Sequence, residues 1–474
     1  MANGIYEVPT NILDDRQAIQ TAINNAQNAN GGIVLLANKQ YNISQSIQLS
    51  SNIILQGLGA SSQIRGIADV PIIQVTTGTA YAEIKNLKLV YDNSIQTSNH
   101  FHIEADRTLF LKIKNVIIEG PGRSNSGILT WDASTSNKTI PISGSSTEAH
   151  FMTHIENCLL NEASIWLNDS DSRILNNYIW ANSTSTNLLP YAIRLSNGSV
   201  NISGNDIVPG NDAGIYLAST CSLIRIENNY FDGSWNTVHT GWGIELNAAR
   251  QCIIVGNTFA NMYYGGIKAD NSHQNTVLGN IFNNLNRSRR ASSRYDVSLT
   301  STNSESLGLL YMGNQHFRDL SGEKSIALYA NSGVDLLMIG NSVIDWSESS
   351  GGYCQPAIRI YRDDNQSYLM ANRVTNSRIN GNSKYPLLTD YGQTTVGAFT
   401  EVVNTRIDFS EAFQAQQLIP KVQDININFV GAQANSRITF SIYNLSASGF
   451  NISFARVDSS CSTAGVFFWR VDIH

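Results

Sequence analysis

The chain has 474 residues and a formal net charge of −6, and only 14% of its residues are charged. An acidic balance excludes an extended basic groove for nucleic acid. No apolar stretch reaches the length that crosses a bilayer, so membrane insertion is not expected. Short apolar segments recur along the whole chain, which excludes intrinsic disorder.

The first predicted element is an amphipathic helix in residues 14–30, DDRQAIQTAINNAQNAN. Asp14 or Asp15 is the candidate N-cap. The first residues, MANGIYEVPT, lack the apolar core of a secretory signal. We therefore predict that residues 1–30 form an N-terminal segment and a helix that caps the open end of a β-structure. The apolar positions at helical spacing are Ala18, Ile19, Ala22, Ile23 and Ala26.

Three short strands with Gly and Asn turns follow in residues 31–59. With the helix they give the pattern D-x-x-A-I-x-x-A-I, GG-x-V-x-L, Y-x-I and I-x-L-x-S-N-I-x-L-x-G-x-G. The residues of this pattern are Asp15, Ala18, Ile19, Ala22, Ile23, Gly31, Gly32, Tyr41, Ile43, Ile47, Leu49, Ser51, Asn52, Leu55, Gly57 and Gly59. The pattern resembles the N-terminal signature of the pectate-lyase-like superfamily of right-handed parallel β-helices, which is specific for the fold and weak for activity.

Farther along, one phrase returns about every 20 to 34 residues, as in SIWLNDSDSRILNN (164–177) and GIELNAARQCIIVGN (243–257). It consists of an alternating apolar strand, a polar turn and a second short strand that leads to an Asn. A unit this short cannot bury its own apolar face and must stack on its neighbours. The phrase therefore predicts an all-β parallel β-helix. The repeated corner is marked by Asn177, Asn205, Asn229, Asn257, Asn280, Asn314, Asn341 and Asn372.

We predict that the β-helix covers residues 31–407, with loop excursions in 121–150 and 286–296. The second excursion, NRSRRASSRYD, is basic and forms either a solvated loop or an arm over an acidic ligand or a neighbouring chain. After residue 407 the phrase stops, and longer alternating segments follow, with turns at GAQANS and NLSASG. They predict a small antiparallel β domain in 408–474.

The five cysteines are scattered and show no metal-binding spacing such as CxxC. Free thiols in or near the core are expected, and neither a metal nor another cofactor is predicted. The cysteines are Cys158, Cys221, Cys252, Cys354 and Cys461.

Function is expected on the outward strand positions, because the inward ones form the core. In the phrase G-I-X-L the residue X points outward, and successive X residues would lie about 4.8 Å apart. Aromatic rings stack on sugars and basic groups pair with acidic substituents, so the row is typical of a sugar-binding groove, the alternative being a chance row on a solvated sheet. This outward row is Trp166, Arg194, Tyr216, Glu245, Lys268 and, after two looser coils, Arg359. Small residues two positions earlier predict a trough: Ser164, Ala192, Gly214, Gly243 and Gly266.

Hydrolysis of a glycosidic bond needs two carboxylates. Glu245 lies in the middle of the row, and Asp270 lies one coil on and two residues along. A backbone separation of roughly 8 Å is compatible with an inverting pair, whose carboxyl groups are about 6.5–9.5 Å apart. Asp212 and Asp232, in turns next to this patch, are rival candidates for either catalytic role.

The loop just before Glu245 carries His239 and Trp242, which we predict to close over a sugar. A polysaccharide lyase would instead need a base beside a uronate. Lys268, Tyr216 and Asp270 are the candidates for that chemistry.

This combination of cap helix, Asn-ended coils, mixed aromatic and charged row and C-terminal β segment resembles a bacteriophage tailspike or tail-fibre polysaccharide depolymerase. The resemblance covers residues 14–59 well and the coils generically. It implies a homotrimer, held by the C-terminal domain, that cleaves a capsular or O-antigen polysaccharide. It also implies a place in the virion tail with action at the bacterial surface, or otherwise an extracellular location. No particle-binding domain precedes the cap helix, which departs from the family pattern.

Two other hypotheses remain open. Inulin fructotransferases are trimeric β-helices with Asn-ended coils and an Asp/Glu pair, and residues 355–377 have a similar rhythm. The C-terminal extension and the basic row argue against them, because fructans are neutral. A glycan-binding adhesin without catalytic activity is the third hypothesis.

Overall fold

The computed structural model describes most of the chain, and all structural statements below concern the described residues. These are residues 4–9, 14–92, 100–120, 126–132, 152–181, 189–233, 241–285, 295–301, 308–317, 326–331 and 336–344, and the strands and short flanking stretches within 358–472.

The cap helix is confirmed as α1 (Asp15–Asn28). Asp14 is its N-cap and accepts a hydrogen bond from the Gln17 backbone N–H at 3.1 Å. The predicted apolar face is buried and packs against the first strands of the fold. Asp15 instead accepts hydrogen bonds from Lys39 Nζ at 2.7 Å and from the Asn42 N–H at 2.8 Å. The helix therefore covers the open first coil, as the sequence predicts.

Strands β1 to β40 pair in parallel. They are β1 (Ile5–Glu7), β2 (Gly32–Leu35), β3 (Gln40–Ile43), β4 (Ile47–Leu49), β5 (Ile53–Gln56), β6 (Gln63–Gly66), β7 (Ile73–Val75), β8 (Glu83–Lys85), β9 (Lys88–Tyr91), β10 (Ile103–Asp106), β11 (Lys112–Lys114), β12 (Ile117–Glu119), β13 (Gly127–Trp131), β14 (His154–Glu156), β15 (Leu159–Asn161), β16 (Ser164–Leu167), β17 (Arg173–Leu175), β18 (Tyr178–Trp180), β19 (Tyr191–Leu195), β20 (Asn201–Ser203), β21 (Asp206–Val208), β22 (Ala213–Leu217), β23 (Arg225–Glu227), β24 (Tyr230–Asp232), β25 (Trp242–Asn247), β26 (Ile253–Val255), β27 (Thr258–Ala260), β28 (Ile267–Asp270), β29 (Thr276–Leu278), β30 (Ile281–Asn283), β31 (Tyr295–Thr300), β32 (Leu309–Met312), β33 (Gln315–Phe317), β34 (Ile326–Ala330), β35 (Leu336–Ile339), β36 (Ser342–Ile344), β37 (Ile358–Ile360), β38 (Tyr368–Met370), β39 (Arg373–Val374) and β40 (Ile379–Gly381).

These strands form three long sheets, and each coil contributes one strand to each sheet. We call them sheet A (β1, β2, β5 and every third strand to β38), sheet B (β3, β6 and every third strand to β39) and sheet C (β4, β7 and every third strand to β40). The apolar residues that alternate along the strands fill the space between the sheets. The fold is the predicted right-handed parallel β-helix.

The repeated asparagines form a continuous buried ladder. From Asn205 to Asn372, each side-chain Oδ1 accepts hydrogen bonds from the backbone N–H and the Nδ2 of the asparagine one coil earlier, at 2.8 to 3.1 Å. Before each ladder asparagine from Asn177 to Asn341 the residue is Asn or Gly, because the backbone turns there with positive φ, as at Asn228 (54°) and Gly256 (64°). The ladder thus satisfies the polar groups of a buried corner.

Aromatic rings form a second ladder inside the core. Phe231, Phe259 and Phe282 stand in register on sheet B, with ring centroids 4.7 and 5.0 Å apart. His316 continues the stack at 4.5 Å from Phe282. The core of these coils therefore contains a stack of aromatic rings, and the last ring of the stack is the polar imidazole of His316.

That polar ring is part of a buried hydrogen-bonded triad. His316 Nδ1 lies 3.0 Å from Asp296 Oδ2, and its Nε2 lies 2.7 Å from the Tyr311 hydroxyl. The side chains are almost inaccessible to solvent. Asp296 occupies the strand position held by Gly266 one coil earlier, because Ile267 pairs with Val297. Compared with the preceding coil, this coil therefore has a histidine in place of the phenylalanine and an aspartate in place of the glycine.

The C-terminal strands pair antiparallel, in two small sheets with the orders β41-β46-β43 and β42-β45-β44. They are β41 (Thr389–Val396), β42 (Val402–Asp408), β43 (Ile425–Gly431), β44 (Ile438–Ser446), β45 (Gly449–Arg456) and β46 (Gly465–Asp472). Antiparallel pairing therefore begins at Thr389, and the predicted boundary at residue 407 falls inside β42. The reason is that β41 and β42 pair with strands more than forty residues later, which the local pattern does not show.

The predicted excursions also need correction where the structure describes them. Gly127–Trp131, inside the first excursion, is strand β13 of sheet C, paired with β10 and β16. The last residues of the second excursion begin β31. The remaining parts, 121–125, 133–150 and 286–294, lie outside the described residues.

The triad predicts coupled mutational effects. His316→Phe alone should lower the thermal unfolding midpoint, because it removes a hydrogen-bond partner from two buried groups at about 1–3 kcal/mol each. Asp296→Gly and Tyr311→Phe should each be destabilising as well. The triple variant restores an aromatic ladder over glycine and should recover most of the loss. Thermal scans at one fixed rate would show this, and strictly additive losses would contradict the coupling.

Candidate functional site

The outward row lies on neighbouring strands of sheet C. Trp166 pairs with Arg194, Arg194 with Tyr216, Tyr216 with Glu245, and Glu245 with Lys268. The flanking apolar residues of each strand are buried, which confirms the predicted inward and outward faces. Three coils beyond Lys268, the backbone of β37 brings Arg359 into register with Tyr329 of β34. The orientation of the Arg359 side chain lies outside the described part of the structure.

The predicted trough is wrong. Ser164 and Ala192 are completely buried, and the three glycines are buried too. A Cβ at Gly243 would lie 2.4 Å from Cδ1 of Phe259, and one at Gly266 would lie 2.6 Å from Phe282. The three glycines therefore face the aromatic core ladder. They are small because the phenylalanine rings occupy the space.

Glu245, Lys268 and Asp270 form a charged triad at the centre of the row. Lys268 Nζ lies 2.7 Å from Glu245 Oε1 and 2.9 Å from Asp270 Oδ2. Partial burial alone would lower the pKa of Lys268, but the hydrogen bonds and charges of the two carboxylates outweigh it, and the net pKa is raised. The ammonium therefore stays charged at neutral pH.

This triad corrects the expected geometry of an inverting pair. The bonded oxygens of Glu245 and Asp270 can be no farther apart than the sum of the two distances to Lys268 Nζ. The lysine ammonium therefore occupies the space between them where the water of an inverting pair would sit. Asp270 also accepts a hydrogen bond from the Thr300 hydroxyl. These contacts indicate that Asp270 holds the Lys268 side chain in position.

Asp212 belongs to the same electrostatic environment. It lies just before β22, and its backbone C=O accepts a hydrogen bond from the Trp242 N–H at 2.9 Å. Desolvation by neighbouring protein atoms raises the pKa of its carboxyl, against the opposing effects of Asn211 and Lys268. A raised pKa favours the protonated form that a general acid needs.

Tyr191 is a site residue that the sequence analysis missed. Its ring stacks on Tyr216 with centroids 4.5 Å apart. Burial raises its pKa to about 12, with further contributions from Asp212, Tyr216 and Glu245. The sequence did contain a signal for this residue, because Tyr191 directly precedes Ala192, the first residue of the phrase AIRL.

Arg194 lies between two aromatic rings of the row. Its guanidinium carbon is 5.1 Å from the centroid of Trp166 and 5.9 Å from that of Tyr216. Burial lowers its pKa. Trp166 also packs against Phe101 at 5.2 Å. Aromatic and basic groups thus share the end of the row that precedes Glu245.

Asp232 is not beside this group. The sequence analysis placed it in a turn next to the row, but it ends strand β24 of sheet B. Its charge raises the pKa of Asp206, after the larger effect of burial, and acts on Tyr178 and Tyr230. The sequence analysis did not identify Asp206 as a neighbour of Asp232. Asp206 directly follows the ladder residue Asn205 and is the first residue of β21, so its outward position could have been predicted.

Trp242 does not close over the groove from a loop. It is the first residue of β25, only 8% of it is exposed, and its ring packs at 6.4 Å from Tyr264. The expected loop position was wrong because β25 starts earlier than the repeated phrase. His239 lies outside the described residues.

No group of three or more potential metal ligands occurs among the described residues. Within the same residues, Cys158, Cys221 and Cys252 are buried free thiols, and burial raises the pKa of each to about 12. Such thiols are poor metal ligands because binding needs the thiolate. Cys354 and Cys461 lie outside the described part of the chain. The described part also lacks a helix long and apolar enough to cross a membrane.

Comparison with known proteins gives one family and several structures. The family profile of the periplasmic copper-binding protein NosD matches residues 142–322, whose described part contains no group of three or more His, Cys, Asp or Glu side chains that could hold a metal ion. No curated protein sequence matches the chain.

Three similar solved structures are distant in sequence from this chain. A mutant tailspike protein of E. coli bacteriophage HK620 is 12% identical, with coverage of 98% of this chain and 91% of that one and a TM-score of 0.52. The Dettilon tailspike protein is 15% identical, with coverages of 99% and 94% and a TM-score of 0.50. The chain has the fold of the phage tailspikes. The A-module of an Azotobacter vinelandii mannuronan C-5 epimerase is 13% identical, with coverages of 79% and 96% and a TM-score of 0.51.

The buried glycines give a stability prediction. Gly243→Ala should lower the free energy of unfolding by ~1–3 kcal/mol, because the new methyl group overpacks the core against Phe259. Combining it with Phe259→Leu should recover part of that loss, since the shorter side chain makes room. Thermal unfolding of the single and double variants is the measurement. An unchanged midpoint for Gly243→Ala would mean that the position is an open trough after all.

Proposed function

We propose that this protein is a glycoside hydrolase that cleaves a bacterial surface polysaccharide, capsular or O-antigen, as a tailspike depolymerase does. The observation that carries the proposal is the outward row: a carboxylate, two cations and aromatic rings on consecutive strands of one sheet. Aromatic faces and planar cations are the groups that bind sugar rings and their acidic substituents. A polymer lying along the row would pass directly over Glu245.

The charges in the row suggest how the bond is cleaved. Asp212, with its raised pKa, would donate a proton to the leaving glycosidic oxygen. Glu245, held by Lys268, would act as the charged carboxylate that activates water or attacks the sugar. Asp270 would hold Lys268 in place.

Lyase chemistry fits the same groups less well. A lyase base must accept a proton near neutral pH. The pKa of Lys268 is raised by its two carboxylate partners, and that of Tyr191 is raised to about 12. Neither group is therefore prepared to act as a base, and hydrolysis is the better proposal.

The comparisons support a carbohydrate substrate. One similar structure is the mutant tailspike of E. coli bacteriophage HK620 in complex with a hexasaccharide, 12% identical with a TM-score of 0.50. The mannuronan C-5 epimerase module also has a polysaccharide in its name. We place the protein on a virion tail that acts at the bacterial surface.

We also propose that three copies associate through sheet A. The outward face of this sheet carries charged residues in the earlier coils, such as Lys112 and Arg225, and becomes apolar from β26 onward. Ile253, Met312 and Leu337 are large apolar residues with 37%, 39% and 36% exposure. Three identical apolar stripes around a threefold axis would cover one another. The C-terminal antiparallel strands are proposed to hold the trimer at its end.

Removing the catalytic carboxylates tests the proposed chemistry. Glu245→Gln should lower polymer turnover at least ~10²-fold, the lower bound for losing general acid–base help, and should leave polymer binding intact because the shape is kept. Asp212→Asn should behave in the same way. Asp270→Asn should have a smaller effect, because it only releases one partner of Lys268. The measurement is the appearance of new reducing ends.

The matched control is Glu227→Gln on sheet A, which should keep the parent rate. Arg359→Ala, farther along the row, should mainly weaken binding. If Glu245→Gln cleaves at the parent rate while Asp206→Asn or Asp232→Asn is inactive, the site lies on sheet B. Ultraviolet-absorbing products would show lyase action, and an unchanged polymer would show a binding protein.

Light scattering tests the trimer. Leu337→Lys and Met312→Lys should convert the trimer into monomers, because burying an unpaired charge in the apolar interface is costly. Leu159→Lys on sheet B is the matched control, since Leu159 is 39% exposed, and it should remain trimeric. Trimers of unchanged mass from both sheet A variants would disprove this interface.

A further inference from the structure

The two cations of the outward row differ in their partners. Lys268 is neutralised by two carboxylates. Arg194 has no carboxylate within ion-pair distance among the described residues, and its Nη1 is buried without a hydrogen-bond partner. A guanidinium that is partly removed from water and not neutralised is costly to the folded state.

A second donor beside it is also unsatisfied. Among the described residues the buried indole Nε1–H of Trp166 has no hydrogen-bond partner, and the guanidinium of Arg194 lies over the same ring. Both groups can only donate hydrogen bonds. Two adjacent donors without an acceptor among the described residues indicate that a ligand supplies the acceptor.

The side chains around the Arg194 guanidinium indicate which kind of acceptor fits. A guanidinium between aromatic rings is held flat, and its fork of N–H groups matches the two oxygens of a carboxylate. The stacked rings of Tyr216 and Tyr191 lie on the side toward Glu245 and offer an apolar face for the sugar ring that bears the carboxylate.

We propose that Arg194, with Trp166, is an anion subsite that binds the carboxylate of an acidic sugar in the polysaccharide. The inference rests on the proposed function and adds the substrate class to it. The subsite lies two coils, or about 10 Å, from Glu245 along the row. The acidic sugar therefore sits to one side of the cleaved bond and sets the position of the polymer.

The test compares each polymer with its own neutral form. The full chain carrying Glu245→Gln, which keeps the polymer intact, is titrated with a panel of neutral and uronate-containing bacterial capsular polysaccharides. The acidic ones are used intact and after carbodiimide-mediated reduction of their carboxyl groups to alcohols. The polymers bound by the protein should be acidic, and reduction should weaken binding at least ~10-fold, as expected for a lost charge-assisted hydrogen bond.

Variants then assign the effect to Arg194. Adding Arg194→Gln should weaken binding of the intact polymer at least ~10-fold and abolish the difference between intact and reduced polymer. Arg194→Lys should recover only part of it, because it lacks the planar fork. Arg173→Gln, on sheet A, is the matched control and should bind like its parent.

The outcomes separate the two proposals. Binding of neutral polymers alone, or undiminished affinity after reduction, would overturn the anion subsite and leave the hydrolase proposal standing. The subsite also fails if Arg194→Gln still distinguishes intact from reduced polymer. If the protein binds no polymer of either kind, the proposed function fails and the subsite with it.

Discussion

The structure depends on one constraint: in a parallel β-helix every coil finds its backbone and core partners in the coils before and after it. At the corner that leads into sheet B this constraint is met by the asparagine ladder, in which each side chain serves the backbone and the amide of its neighbour. A ladder of this kind fixes the register of successive coils, because a slip by one residue would leave buried polar groups unpaired. The aligned outward row is a consequence of that register.

The interior sets the shape of the surface that bears the row. Phenylalanines of sheet B reach across to sheet C, and glycines there give them room. The row therefore stands on a tightly packed base, and the side chains at its centre are held by packing and ion pairs. Where the aromatic ladder ends, a histidine (His316) takes the place of the phenylalanine and an aspartate (Asp296) takes the place of the glycine, and the two side chains are hydrogen-bonded. The core tolerates a polar ring only with its hydrogen-bond partners in place.

The electrostatics of the row divide it into two parts. Around Glu245, the positive charge of Lys268 is balanced by two carboxylates, and Asp212 nearby has a raised pKa. A carboxyl with a raised pKa near an ion-paired carboxylate is the combination that the proposed acid–base chemistry would use. Around Arg194, the positive charge is balanced by no carboxylate of the described residues, and aromatic rings surround it. This part has the features of a binding site, so the proposed chemistry and the proposed recognition lie two coils apart on one row.

The sequence by itself determined the fold, the cap helix and the register of the outward row, because strand alternation and the repeated asparagine are local patterns with a single consistent stacking. It also determined that the apolar residues on either side of each outward residue point inward, as Ile244 and Leu246 do on either side of Glu245. Only the tertiary structure decided that Gly243 faces a phenylalanine, that Lys268 joins Glu245 to Asp270, and that Asp232 belongs to another sheet. These features depend on contacts between sheets and on where long side chains come to rest, and such contacts join residues that no period in the sequence relates.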